Sequence, residues 1–187
     1  MSYIIHPIVT AQLAVETGRI TYLRNYGKLM WIPCPFYLIT GGSEPILVDT
    51  SGHADVMSRL RHEPVKPVMN FEKALQSFGL DLEDIRIVIH THLMYDHCAN
   101  SKLLPKAEFV VQRKELDFAL DPHPMFAGAY QRNLFEGLSF QIADGDQELL
   151  PGIKLFFDSG TQPRGAVSCC FNKRRGSDHN RLLLYQR

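Results

Sequence analysis

The sequence predicts an α/β domain, with strands and helices in an α+β layered arrangement, on three observations. Short apolar runs rich in β-branched residues recur along the chain, helical stretches lie between some of them, and Gly or Pro pairs mark the turns. Of the 187 residues, 45% are hydrophobic and 21% are charged, which is typical of a globular protein. Neither internal repeats nor low-complexity linkers interrupt the pattern.

The first half of the chain is predicted to be mostly strand. Residues 3–13 and 20–23 are β-rich, and Thr17 and Gly18 supply the turn between them. Residues 36–40 and 45–49 flank the Gly-Gly-Ser-Glu segment 41–44, which is typical of a hairpin connection. A helix is predicted over residues 70–79, with Asn70 as its N-cap and Gly79 as its end.

The second half is predicted to alternate strands and helices. Residues 85–89 form a short β-branched run, which indicates a buried strand. A strand over 109–112 and a helix over 113–120 follow. Three further strands are predicted over residues 139–143, 147–150 and 153–157.

Charge and composition exclude several classes of protein. Twenty basic residues balance twenty acidic ones, which disfavours an electrostatic binder of nucleic acid or membrane surfaces. No apolar run reaches the roughly 18 residues of a spanning helix, and no basic n-region precedes the first apolar stretch. The four cysteines do not have the spacing of a disulfide scaffold. We therefore expect a cytoplasmic globular domain that binds neither nucleic acid nor a membrane.

The candidate chemistry lies directly after the predicted strand 85–89. His90, His92, Asp96 and His97 follow within eight residues, where a loop can aim several side chains into a cleft. Imidazole and carboxylate groups are a ligand set typical of zinc, which activates water near neutral pH. Asp96 and His97 are adjacent and are expected to diverge, which favours two neighbouring metal ions over one. A histidine alone at a strand end, as His90 would be, is usually a partly buried polar residue.

The segment 91–97, THLMYDH, resembles the Thr-His-x-His-x-Asp-His signature of the metallo-β-lactamase superfamily. The surrounding residues 34–52, 82–100, 107–120 and 144–156 resemble that superfamily's N-acyl homoserine lactonase branch. The resemblance implies a four-layer αββα sandwich that holds two zinc ions. It also implies a small-molecule substrate, because members of that branch use a zinc-activated hydroxide to hydrolyse lactone esters of the acyl homoserine lactone type, the reaction of quorum quenching.

The resemblance also implies roles for individual residues. His92 matches a ligand of the first metal, whereas Asp96 and His97 match ligands of the second. Asp96 is in addition the expected catalytic residue, because it could orient the attacking hydroxide. Asp49 stands at the family's Asp-Thr-Gly position and is expected, with His90, to steady the ligand loop from behind. A buried structural aspartate at a strand end is the alternative interpretation of Asp49.

Two positions depart from the family pattern. Met94 stands where the family has its second histidine, and a thioether cannot replace imidazole on a catalytic zinc. We therefore interpret Met94 as a side chain that packs against apolar neighbours of the loop. Thr161 stands where a further histidine ligand is expected. With three ligands left and split between two metals, zinc occupancy is expected to be reduced or absent and activity impaired.

The tail changes character after the last predicted strand. We expect residues 1–157 to form the family domain, comprising its N-terminal half and the start of its second half, and residues 158–187 to be a non-family tail with no strand alternation. An incomplete second half would leave sheet edges exposed and favour self-association. Read one base later from Phe157 with free choice of synonymous codons, the tail can encode a Gly-His-x-Pro-Gly turn. This predicts a frameshift after about Phe157, so that removing one base there should open a longer frame.

Two other functions are compatible with the sequence. A different hydrolase of the same superfamily would act on thioesters or β-lactams, and a non-catalytic remnant would bind no metal. Four apolar residues have two possible interpretations, because they could line a substrate pocket or could be part of the hydrophobic core. They are Trp31, Phe36, Met125 and Phe126.

Overall fold

The computed structural model describes residues 2–22, 24–158 and 166–171. A mixed seven-stranded sheet lies at its centre, in the order β4-β1-β2-β3-β5-β6-β7. Strands β4, β1, β2 and β3 pair antiparallel, whereas β3, β5, β6 and β7 pair parallel. The seven strands are β1 (Ile4–Glu16), β2 (Leu29–Thr40), β3 (Ile46–Val48), β4 (Val65–Pro67), β5 (Ile87–Ile89), β6 (Glu108–Gln112) and β7 (Phe140–Ala143).

Helices cover one face of this sheet. They are α1 (Ala54–Leu60), α2 (Phe71–Gln76), α3 (Tyr95–Cys98), α4 (Arg113–Leu120) and α5 (Arg132–Phe135). The predicted cap of α2 is confirmed, because the Asn70 side chain accepts a hydrogen bond from the Lys73 N–H. Phe71 and Leu75 of α2 pack on Phe36 and Phe109 of the sheet. No helix in the described part of the chain is long and apolar enough to cross a membrane.

A smaller antiparallel sheet covers the other face. It is formed by β8 (Gln147–Leu150), β9 (Ile153–Asp158) and β10 (Ala166–Phe171), with β9 in the middle. Ile153 and Leu155 of β9 are fully buried against Ile46, Val48 and Ile89 of the large sheet. The alternation of side chains along β3 and β5 explains this two-sided core, because Leu47 and Val88 face the helices instead. Helices, large sheet and small sheet are thus three consecutive layers, which correspond to the first three layers of the predicted four-layer αββα sandwich.

Two predictions about local structure are wrong. Residues 20–22 form a turn after a short 3-10 helix over Thr17–Arg19 and are not a strand; Leu23 lies outside the described residues. The tail was predicted to contain no strand, but β10 pairs with β9 from Ala166–Asp158 to Phe171–Ile153. The tail's own sequence has little alternation, so we attribute the strand conformation of β10 to its hydrogen-bonded pairing with the edge of β9. Thr161 lies outside the described residues.

Candidate metal centre

The candidate site lies where three parallel strands end. β3 is followed by Asp49, β5 by His90, and β6 ends at Gln112. The carboxyl ends of parallel strands meet at one edge of a sheet, where side chains from separate loops can converge. Backbone bonds fix the loops to one another, because the Asp49 N–H donates to the Ile89 carbonyl and the His90 N–H to the Val110 carbonyl.

Asp49 is the centre of the hydrogen-bond network behind the site. Its side chain is fully buried, and its backbone has a φ of 59°, a left-handed conformation that aspartate tolerates better than most residues. Oδ1 accepts the Thr91 N–H at 2.8 Å, and Oδ2 accepts the Thr91 hydroxyl at 2.6 Å. Oδ2 also accepts the His97 Nδ1–H at 2.8 Å. Asp49 therefore joins the end of β3 to both ends of the ligand loop.

His97 and Asp96 converge, so the prediction that these neighbours diverge is wrong. His97 Nε2 lies 3.8 Å from Asp96 Oδ2. Both residues belong to the short helix α3, in which side chains lean toward the helix N-terminus and can reach a common point beyond it. Because Asp49 holds Nδ1 of the His97 ring, Nε2 is the nitrogen available to a ligand on the Asp96 side.

His92 completes a group of three ligand side chains. The centroids of the His92 and His97 rings are 3.8 Å apart, and His92 Nδ1 lies 3.0 Å from the Thr91 hydroxyl. One ligand atom from each of His92, Asp96 and His97 lies within 4.8 Å of the other two. Asp96 Oδ1 is buried and accepts no hydrogen bond from the described residues. A buried carboxylate oxygen without a hydrogen-bond donor, beside two imidazoles, fits a divalent cation.

The protonation of Asp49 and His97 is governed by their mutual attraction. Burial disfavours the charged forms of both Asp49 and His97. The adjacent His97 and His90 nonetheless hold the pKa of Asp49 well below its usual range. Against the same burial, the carboxylates of Asp49 and Asp96 raise the pKa of His97 to about 9. The metal-free pocket therefore attracts positive charge, whether a proton on His97 or a cation in its place.

His90 lies outside the group of three. Its ring is fully buried and stacks on Phe109, with centroids 5.6 Å apart. Nε2 lies 3.0 Å from the Ser101 hydroxyl and Nδ1 lies 3.5 Å from Asp49 Oδ1. His90 therefore supports the carboxylate that orients His97 and does not itself face the other two imidazoles.

Met94 packs as interpreted from the sequence. It is half-buried against the apolar cluster that includes Leu93 and Phe135. Of the four candidates for an apolar substrate wall, Phe36 belongs to the fully buried core, while Trp31 and Met125 are exposed. Phe126 packs against the same apolar cluster, and its ring contacts the ring of Phe118.

Sequence reasoning missed three residues that shape the site. Glu115 of α4 is fully buried and accepts the Leu93 N–H at 2.8 Å. Ser101 lies against His90, as described above, and Gly52 lies between α1 and α3. A Cβ on Gly52 would stand 2.5 Å from Met57 Sδ and 3.3 Å from Asp96 Cα, so a larger residue here would displace the Met57 side chain and press on the backbone of α3. The available signal for Glu115 was its position four residues before Ala119 on the buried side of α4.

Comparison with known proteins gives a consistent family match. Residues 29–168 match the sequence profile of the Metallo-beta-lactamase superfamily. The chain is similar to N-acyl homoserine lactonase AttM of Rhizobium johnstonii, with 30% identity over 129 residues, which are 63% of this chain and 49% of that relative. It is also similar to N-acyl homoserine lactonase AiiA of Bacillus thuringiensis subsp. kurstaki, with 26% identity over 73% of this chain and 58% of the relative. The chain thus spans about half the length of these relatives.

Solved structures share the fold. An N-acyl homoserine lactone hydrolase with the product N-hexanoyl-L-homoserine at its catalytic metal centre superposes with a TM-score of 0.76 and 23% identity. The match covers 91% of this chain and 70% of that one. AidC, a dizinc quorum-quenching lactonase, superposes with a TM-score of 0.67 and 14% identity, over 92% of this chain and 68% of AidC. At these identities the likeness concerns the fold.

Proposed function

The chain belongs to the metallo-beta-lactamase superfamily, and from that membership we propose that it acts as a metal-dependent hydrolase of lactone esters. The observation that carries the proposal is the convergence of His92, Asp96 and His97 within 4.8 Å at the carboxyl edge of the sheet. The names of the similar relatives, N-acyl homoserine lactonases, favour lactones of the acyl homoserine type as the substrate class.

We assign the metal to these three side chains. His92 and His97 would donate ring nitrogens and Asp96 a carboxylate oxygen, a set that suits zinc. A bound ion of this kind supplies Lewis acidity toward the ester carbonyl and the attacking water. Three ligands whose donor atoms lie this close together are compatible with one shared ion.

The chain's own residues prepare the site for that ion. Asp49 holds the His97 ring through Nδ1 and fixes which nitrogen faces Asp96. Thr91 links Asp49 to His92, because its hydroxyl lies 2.6 Å from the carboxylate and 3.0 Å from the imidazole. We propose that the Asp96 carboxylate oxygen that does not bind the metal orients the attacking water and receives its proton.

Met94 limits the site. A thioether in place of an imidazole leaves two histidines for the ion, so we propose weaker binding and slower turnover than a site with three histidines would give. Low occupancy also means that activity should depend strongly on added metal.

The test is a hydrolysis assay on the intact chain with N-hexanoyl homoserine lactone and added zinc. We expect ring opening above the background rate, removed by a chelator and by His92→Ala, and retained in His62→Ala, which changes an exposed histidine. Thioester and β-lactam substrates in parallel decide between hydrolases of the superfamily. A zinc-loaded chain without turnover on any of these substrates, or turnover that survives chelation, contradicts the proposal. A chain that neither binds zinc nor turns over is a non-catalytic remnant.

A further inference from the structure

We propose that Glu115, the buried carboxylate of α4, is a positioning residue that fixes the metal-ligand loop and supplies negative charge for the cation. The inference rests on the proposed metal function, since it names a residue that serves the same site. It concerns a part of the chain outside the signature segment 91–97.

A hydrogen bond joins Glu115 to the ligand loop. Glu115 Oε1 accepts the Leu93 N–H at 2.8 Å, and Leu93 stands between His92 and Met94. Leu93 is itself fully buried, so its backbone is held by the carboxylate and its side chain by the apolar cluster. The Cα of His92, one residue earlier, is therefore fixed relative to α4.

The Glu115 carboxylate binds a segment that is distant in the sequence. An acidic residue in the first turn of a helix commonly serves the N–H groups of its own helix. Glu115 lies in the first turn of α4, yet its oxygen accepts a hydrogen bond from a loop 22 residues earlier in the chain. The long-range partner indicates that α4 presents Glu115 to the ligand loop.

Glu115 also contributes negative charge near the proposed metal ligands. A fully buried carboxylate favours positive charge nearby. Three buried or half-buried carboxylates, Asp49, Asp96 and Glu115, lie around the imidazoles of His92 and His97. A divalent ion held by His92, Asp96 and His97 offsets this negative charge, and Glu115 in turn favours the ion.

Three substitutions separate positioning from charge. Glu115→Gln keeps an oxygen that accepts the Leu93 N–H and removes the charge, whereas Glu115→Ala removes both. Asp117→Asn is the matched control, because it removes one charge from the exposed side of the same helix. Binding of Co²⁺ is measured by its visible absorption, and the protection of the Leu93 amide by hydrogen exchange in the metal-free chain.

We expect Glu115→Gln to weaken Co²⁺ binding about 10-fold with Leu93 protection retained. Glu115→Ala should lose both, and Asp117→Asn should change neither by more than about twofold. Glu115→Gln that binds Co²⁺ as tightly as the unmodified chain overturns the charge role. Glu115→Ala with unchanged Leu93 protection overturns the positioning role. If the unmodified chain binds no Co²⁺, the proposed function and the charge role both fail, while hydrogen exchange still decides whether Glu115 fixes the loop.

Discussion

His97 Nδ1 donates a hydrogen bond to Asp49 Oδ2 over 2.8 Å, so a carboxylate at the end of β3 sets the direction of an imidazole on α3. The contact spans 48 residues of sequence and is buried. Because Asp49 also accepts both polar hydrogens of Thr91, one side chain joins the two ends of the ligand loop. The quality of the metal site should therefore depend on a residue that is not a ligand.

Asp49→Asn tests this dependence. Asparagine tolerates the φ of 59° at this position, so the backbone should be kept while the charge is lost. We expect zinc affinity to fall by about 10- to 100-fold, because His97 loses the partner that orients it. Isothermal titration with zinc measures the loss, and Asp55→Asn, an exposed neighbour on α1, is the control. Equal affinity in Asp49→Asn and the unmodified chain would show that His97 needs no such partner.

Substitutions of Met94 test what the thioether does. Met94→Leu should be tolerated with a loss of less than about 1.5 kcal/mol in the free energy of unfolding, since Met94 packs against apolar side chains. Met94→His should raise zinc affinity but leave the stoichiometry below two ions per chain. Elemental analysis after dialysis gives the stoichiometry. Two tightly held zinc ions in the unmodified chain would refute the assignment of a weak centre.

The thiol of Cys34 provides a pH-dependent test. Burial, helped by the nearby charge of Asp96, raises the pKa of Cys34 to about 12 from 9.0. Unfolding releases the thiol proton at pH values where the folded chain still holds it, so stability should fall as pH rises above about 9. Urea unfolding at pH 8 and pH 10 measures this fall, which Cys34→Ala should reduce. Rapid alkylation of Cys34 by iodoacetamide in the folded chain at pH 8, seen by peptide mass analysis, would show that the thiol is accessible.

The Asn70 cap gives a stability prediction that is independent of the metal. Asn70→Ala should lower the free energy of unfolding by about 1 kcal/mol, because the Lys73 N–H loses its acceptor. Asn70→Asp, which keeps an acceptor oxygen, should lose much less. Thermal unfolding of the three chains tests this, and equal stability of Asn70→Ala and the unmodified chain would show that the cap contributes nothing.

Local sequence patterns correctly predicted the helices and strands whose structure follows from the propensity and apolar spacing of their own residues. The helix over Arg113–Leu120 has the predicted bounds, and the buried strand over Ile87–Ile89 lies within its predicted range. Residues 20–22 have β-forming side chains but pair with none of the strands in the described part of the chain, so their propensity gave the wrong prediction. In β10 the reverse holds, because pairing with β9 imposes a strand that its sequence does not indicate.

The site was predictable where its residues are close in sequence. His92, Asp96 and His97 lie in one short segment, and their types alone indicate a metal. The convergence of Asp96 with His97 depends on the helical turn of α3, which four residues cannot signal reliably. Ser101 reaches the site through a contact that only the packed sheet creates, and the pattern of α4 indicates that Glu115 is buried but not that it accepts a hydrogen bond from Leu93.

The junction between β6 and α4 has a consequence for how this chain can tolerate insertions. Gln112, the last residue of β6, holds the turn at Gly145 through two hydrogen bonds, and Glu115 three residues later holds Leu93. One added residue within β6 would reverse which side of the sheet every later side chain of that strand faces. Insertion of a single residue would therefore break the contacts with Gly145 and with Leu93 together. The segment 108–115 should therefore accept no change in length, whereas residues 121–125, which are mostly exposed and precede the Ala129 carbonyl that accepts the Tyr95 N–H, should accept extra residues.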